Sequence, residues 1–273
     1  MIDIGVNLLH PQFDRDRESV LARSRRAGVS EVLITATDLE MARRAIDFAE
    51  VHDLYCTAGI HPHEAKSAPD DFLRELDSLC DSRRVKAVGE TGLDFNRNFS
   101  PPDVQRVVFD LQLGLAANRG LPAFVHDRDS DGAVFEALSR HMTDLPGAVV
   151  HCFTGSGSDL DRYLALGCHI GITGWICDER RGDTLRSLVR RIPPDRLLVE
   201  TDAPFLLPHS TPEGWHAAHA PAAHKRRNEP ALLHLVVERI AAETGTDPGE
   251  VARRSAENAR ALFNLPDRAD DIL

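Results

Sequence analysis

Val85-Lys86-Ala87-Val88-Gly89-Glu90-Thr91-Gly92-Leu93-Asp94 is a short apolar run that stops on a carboxylate and then turns through glycine. Runs of this length and composition are what strands buried on both faces look like, and parallel sheets are their usual home. The pattern recurs: Ala123-Phe124-Val125 stops at His126, Ala148-Val149-Val150 at His151, and Leu197-Leu198-Val199-Glu200-Thr201 at Asp202. Four strands are therefore expected to carry Glu90, His126, His151 and Asp202, all metal-ligand types, at their C-terminal ends.

Segments of helical length separate these runs. Strands are expected over 2–7, 32–35, 55–60, 85–90, 122–126, up to 151, 168–173 and 196–201, and helices over 14–27, 39–52, 69–81, 101–119, 132–142, 159–166 and 184–192. Thr37 and Asp38 suit an N-cap, residues 154–156 offer capping hydroxyls, and Asn228 is expected to cap a helix with Pro230 in its first turn. Eight βα units with no linker between them close most economically into a (β/α)8 TIM barrel of the α/β class, the alternative being an open doubly wound sheet. An additional C-terminal helix over 248–263 follows the eighth unit, and a single domain over 1–273 is expected.

The chain has 273 residues, 42% of them hydrophobic, enough for a sizeable core. Met1-Ile2-Asp3-Ile4-Gly5 lacks a basic leader, and no apolar stretch of about 18 residues occurs, so a soluble cytoplasmic protein without membrane contact is expected. The five cysteines are odd in number and never form a C-x-x-C pair, which signals neither a disulfide framework nor a thiolate zinc site. The sequence does not specify the oligomeric state, and a monomer is compatible with it. A net charge of -11 argues against coating nucleic acid by bulk electrostatics, though not against a phosphate held locally.

Barrel closure would gather Glu90, His126, His151 and Asp202 at one mouth. Mixed carboxylate and imidazole donors suit one or two divalent cations: zinc, manganese or iron(II), or magnesium where carboxylates and water dominate. A cation so placed acidifies water, making hydrolysis the natural reaction, with Asp202 as both ligand and base and Glu90 able to bridge a metal pair. His61 and His63 straddle Pro62 and could ligate a metal or steady an anion. Asp94 and Arg128 fall in loops where substrate contacts are made, Arg180-Arg181 and Lys225-Arg226-Arg227 follow the last two strands, where barrels often bind phosphate, and Trp175 offers a stacking surface. Singly, such histidines are as often satisfied buried imidazoles and such charge runs as often solvated loops. The conjunction at four strand ends is what favours a shared metal site.

Five blocks in order, residues 58–63, 89–94, 150–155, 198–204 and 227–230, resemble the TatD family of metal-dependent deoxyribonucleases, within the amidohydrolase-like barrel hydrolases. The resemblance covers nearly the whole chain. It implies a divalent-metal site using Glu90, His126, His151 and Asp202, with His61 and His63 in the active site and the loop ending at Arg227 holding phosphate. It also implies phosphodiester hydrolysis of DNA, commonly from the 3' end of a single strand. Many relatives carry Asp-x-His-x-His on the first strand, whereas Gly5 and Asn7 stand here, in a form similar to the TatD branch itself. Two other readings keep the barrel: a metal-dependent hydrolase of a small amide or ester, and a non-catalytic nucleic-acid-binding scaffold.

Overall fold

Parallel pairing runs in sequence order through β1 (Ile2–Val6), β2 (Glu31–Ile34), β3 (Tyr55–Ala58), β4 (Val85–Asp94), β5 (Ala123–Arg128), β6 (Ala148–Val150), β7 (His169–Ile172) and β8 (Leu197–Val199). The computed structural model describes residues 1–220 and 226–267. Helices α1 (Arg17–Arg26), α2 (Leu39–His52), α3 (Phe72–Leu79), α4 (Pro102–Arg119), α5 (Ala133–His141), α6 (Gly157–Ala165) and α7 (Asp183–Val189) lie between successive strands. The short α8 (Trp215–His219), then α9 (Leu233–Thr244) and α10 (Pro248–Phe263), follow β8.

The ends of the sheet meet. Val6 bridges Ala203 in parallel, Asn7 N–H donates to Ala203 O at 2.8 Å, and Asp202 N–H donates to Gly5 O at 2.9 Å. Below that bridge the buried Asp3 carboxylate accepts from Thr201 N–H at 2.9 Å and Thr201 Oγ1 at 2.6 Å. A side chain thus supplies hydrogen bonds that a longer ladder would make, and the barrel closes.

Two cores follow from the alternation of strand side chains. The larger packs strands against α1 to α7 and α9, with Val32 and Ile34 set among Ala42 and Ala45 of α2. The smaller joins Ile2, Ile4, Leu33, Tyr55, Ala87, Phe124, Val149 and Leu198 to Ala256, Ala259, Leu262 and Phe263 of α10. That last helix crosses the N-terminal rim of the strands: Ser255 Oγ accepts from Val199 N–H at 3.0 Å, and Asn258 Nδ2 donates to Pro194 O and Leu197 O at 2.8 and 2.9 Å. The additional helix plugs the barrel at the end away from Glu90, His126, His151 and Asp202.

Local signals act largely where expected. Asp38 Oδ1 caps α2 through Met41 N–H at 2.7 Å, and Ser156 with Asp159 forms a capping box on α6. Three expectations need correction. β4 does not stop at Glu90 but runs on to Asp94, because its register with β5 slips between Val88 and Thr91 and pairing then resumes through Asp94. Helix α1 starts at Arg17, after a 3-10 turn at Pro11–Phe13. The loop after β8 contains α8, and Asn228 caps no helix. Its Nδ2 instead donates to Thr201 O at 3.0 Å, tying the following segment to the end of β8. Lys225 lies outside the described residues.

His169 opens β7, and burial followed by the nearby Arg196 charge pushes its imidazole down to about 4. A depressed folded value means that protonation favours the unfolded chain, so this stability is present above pH 6.5 and is lost as pH falls toward 4. Between pH 7.5 and pH 5 the thermal midpoint of the parent should fall further than that of His169→Gln, by about 2–4 °C for a contribution of about 1 kcal/mol. Parallel midpoint curves would show that the imidazole does not contribute.

Candidate active site

Glu90 sits in the slipped stretch of β4, and such bulges re-aim a side chain. Its Oε1 atom lies 2.7 Å from His151 Nε2, 3.0 Å from His126 Nδ1 and 3.2 Å from His61 Nε2. Burial pushes the Glu90 carboxyl up, but His151, His61 and His126 outweigh it and hold Glu90 well below the usual carboxylate range. The reciprocal effect raises His151 well above an ordinary imidazole: burial opposes its charge, and Glu90 and Glu200 override burial. His61 goes the other way, because burial dominates there. Its Nδ1 accepts from His63 N–H at 3.1 Å, which in the neutral ring leaves the proton on Nε2, facing Glu90.

His63 Nε2 meets Asp94 Oδ2 at 2.7 Å, and His126 Nε2 approaches the same oxygen at 3.6 Å. Asp94 is the final residue of β4 and buried, so one strand supplies both acids that organise the imidazoles. Its backbone is clamped by Gln105, whose Oε1 accepts from Asp94 N–H at 2.8 Å and whose Nε2 donates to Asp94 O at 3.2 Å. Gln112, one heptad on along α4, binds Ile60 N–H and Ile60 O at 2.7 and 3.0 Å and Thr91 Oγ1 at 2.7 Å. Residues 105 and 112 are polar positions on the buried face of α4, and that breach of the apolar stripe is the sign by which sequence reading could have found them.

Asp202 stands across the mouth with its backbone in the left-handed region, φ 52°, a conformation that costs an ordinary residue about 1–3 kcal/mol. The bond from Asp202 N–H to Gly5 O holds it there, and Asn7 Nδ2 donates to its Oδ1 at 2.9 Å. Burial, with Glu90 and Glu200 adding to it, pushes the Asp202 carboxyl up to about 7 against the pull of His151 and Asn7. Beside His151, Cys152 also has positive φ, 47°, and burial raises its thiol well above the ordinary range, consistent with packing rather than nucleophilic chemistry.

Sequence reading passed over Glu200, whose signal was a second acid two residues before Asp202 in an apolar run. It is fully buried, accepts from Cys152 N–H at 2.5 Å, and approaches His151 Nδ1 at 3.5 Å. Glycines make room for it. A Cβ on Gly5 would run into Glu200 Oε2, and one on Gly171 would stand 2.6 Å from Oε1. Gly5 therefore leaves a space that a carboxylate from β8's C-terminal extension occupies.

The donors fit a divalent cation. Glu200 Oε2, His151 Nδ1 and His126 Nε2 are buried without a hydrogen-bond partner among the described residues, and Glu90, Asp94, Glu200 and Asp202 concentrate negative charge beside them. The ligand atoms of His61, Glu90 and His126 lie within 4.8 Å of one another. His61 could join such a set only by moving its proton to Nδ1, at the cost of the bond from His63 N–H.

His61, Glu90, His126, His151 and Asp202 line a cavity of about 1580 Å³ with Arg97, Arg128 and Arg162 on its walls, and none of those three arginines forms an ion pair among the described residues. Arg227 is elsewhere. Its side chain is fully buried, its Nη1 donates to Asp16 Oδ1 at 2.7 Å, and its Nη2 donates to Asp16 Oδ2 and Glu229 Oε1 at 2.7 and 2.6 Å. The expected phosphate contact is corrected to an internal lock, because Asp16 and Glu229 already satisfy the charge. Arg23 completes it by a two-pronged pair with Glu229 at 2.8 and 2.9 Å.

A sequence profile described as TatD related DNase matches residues 2–264. The chain belongs to the TatD-related DNases. It is 47% identical over 272 residues to a protein of Dickeya dadantii (strain 3937) named 3'-5' ssDNA/RNA exonuclease TatD, covering 99% of this chain and 100% of that relative. A like-named protein of Erwinia tasmaniensis is 48% identical, covering 97% and 100%. Among solved structures, a TatD homologue of Escherichia coli K12 superposes with TM-score 0.86 at 31% identity over 97% of this chain and 98% of its own. A TatD-family hydrolase of Entamoeba histolytica gives 0.84 at 26% identity over 96% and 97%. In this TatD-related chain Glu200 takes its place among the mouth carboxylates by using the room at Gly5.

Gly5→Ala should lower stability by about 1–3 kcal/mol, the ordinary cost of overpacking, and Gly5→Ala/Glu200→Asp should recover much of it because the shorter acid withdraws from the new methyl. Denaturant titration of the three proteins checks this. Equal midpoints for Gly5→Ala and the parent would refute the steric account.

Proposed function

We propose that this chain is a divalent-metal-dependent 3'-5' exonuclease acting on the ends of single-stranded DNA, with RNA as a second substrate. The observation that carries the reading is the Glu90 carboxylate ringed by His61, His126 and His151 and faced by Asp202, at the base of a cavity in which Arg97, Arg128 and Arg162 have no acidic partner among the described residues. The names of the Dickeya and Erwinia relatives support the substrate and the direction.

Glu90, His126, His151 and Asp202 would hold the ion, with Glu200 and His61 beside them and magnesium, manganese or zinc as the candidates. A bound divalent cation supplies the charge that acidifies water and polarises a phosphoryl oxygen. Asp202 takes the proton from the attacking water. Asn7 keeps Asp202 oriented while it does so. His63, fixed by Asp94, stands where its second ring nitrogen can steady a phosphate oxygen, and Arg128 and Arg97 offset charge along the entering strand. Four mouth carboxylates would repel a phosphodiester in the absence of the cation. A mouth of this volume with several unpaired arginines suits a polyanion better than a small neutral amide or ester.

Glu90→Ala should lower release of nucleotides from an end-labelled oligonucleotide by on the order of 100-fold or more while the circular dichroism spectrum stays unchanged. Chelation should abolish cleavage of the parent, with one of the three metals restoring it, and raising salt should slow it through screening of the mouth arginines. Cleavage by Glu90→Ala at the parental rate would sink the assignment.

A further inference from the structure

A second cleft of about 550 Å³ opens beside the mouth and shares Trp175, Arg181 and Leu206 with it. One wall is the 3-10 turn Gly174–Cys177 after β7, and the other is the segment after β8 that leads to α8. At the junction the Arg181 guanidinium lies 4.3 Å from the centre of the Trp175 ring. Asp178 fixes it there: Oδ2 accepts from Nε and Nη2 of Arg181 at 2.9 and 2.7 Å, while Oδ1 accepts from the N–H groups of Arg180 and Arg181 at 2.9 and 3.0 Å. The Asp178 side chain is 6% exposed and that of Arg181 is 62% exposed, so a buried acid and an indole support a guanidinium that remains open to solvent.

We infer that this cleft binds the substrate strand beyond the scissile phosphate, with a nucleobase stacked on the Arg181–Trp175 platform. The inference rests on the nuclease reading and deepens it. A guanidinium plane stacks on bases as aromatic rings do, whatever the base, which suits an enzyme that degrades strands irrespective of sequence. Because Asp178 offsets its charge, Arg181 offers a flat surface more than a cation. The charge for a neighbouring phosphate comes from Arg226, which lines the same cleft and forms no ion pair among the described residues. Continuity with the catalytic cavity fixes the occupant as the strand whose terminal phosphodiester lies over Glu90.

The test compares the parent with Arg181→Ala and Arg181→Lys on three substrates: a thymidine decamer, a thymidine dinucleotide and bis(4-nitrophenyl) phosphate, which has the diester and no base. Arg181→Ala should raise KM for the decamer about tenfold with kcat within about twofold, a stacking-sized effect, and leave bis(4-nitrophenyl) phosphate unchanged. Arg181→Lys should fail similarly, since an ammonium keeps the charge and loses the plane. An unchanged decamer KM, an equal loss on all three substrates, or full rescue by lysine would overturn the platform. Fluorescence anisotropy with a phosphorothioate decamer separates this inference from the nuclease reading. If the parent cleaves nothing, a tenfold weaker Kd for Arg181→Ala still supports the cleft, and absent or equal binding removes it.

Discussion

The hydrogen bonds between Asp3 and Thr201 hold together the seam on which the rest depends. β8 and β1 meet through an isolated bridge rather than a ladder, and the Asp3 carboxylate supplies two of the bonds that keep them together. Closure at that point makes neighbours of Asn7 and Asp202, which are 195 residues apart in the chain. It also places Glu200 against the bare backbone of Gly5. With the seam open, the carboxylates at the end of β8 would have no fixed relation to the imidazoles on β5 and β6.

Within the closed barrel the problem is electrostatic. Glu90, Glu200 and Asp202 share one water-poor mouth, and buried charges persist only when paired or hydrogen-bonded. Glu90 is compensated by three imidazoles, Glu200 by Cys152 N–H and a neighbouring imidazole, and Asp202 least of all, by Asn7. That ranking explains why Glu90 is held as an anion while the Asp202 carboxyl rises to about 7. The least compensated acid is the one best suited to exchange a proton. A cation in the mouth would pull it down again.

The same accounting resolves how an acidic chain of net charge -11 can present itself to a polyanion. Bulk charge matters less than which cations are already engaged. Arg227 and Arg23 are consumed by Asp16 and Glu229 in an internal lock, whereas Arg97, Arg128 and Arg162 face the mouth without acidic partners among the described residues. Exposed charges more than about 8–10 Å apart are largely screened at physiological salt, so the local arginines govern the approach of a strand.

Apolar runs ending on acids or imidazoles, separated by helical segments, determined the barrel and singled out Glu90, His126, His151 and Asp202 as candidate ligands, because strand burial and helix periodicity are written locally in the order of side chains. Local signals also placed the caps at Asp38 and Ser156. Tertiary structure alone decided what depends on groups far apart in the chain: that Arg227 meets Asp16 across 211 positions rather than a phosphate, that Asn228 ties down Thr201 rather than capping a helix, and that Gln105 and Gln112 clamp the backbone at Asp94 and Ile60. The Glu200 carboxylate belongs to this class too. Its position follows from the absence of side chains at Gly5 and Gly171, a void that exists only once three strands have closed around it.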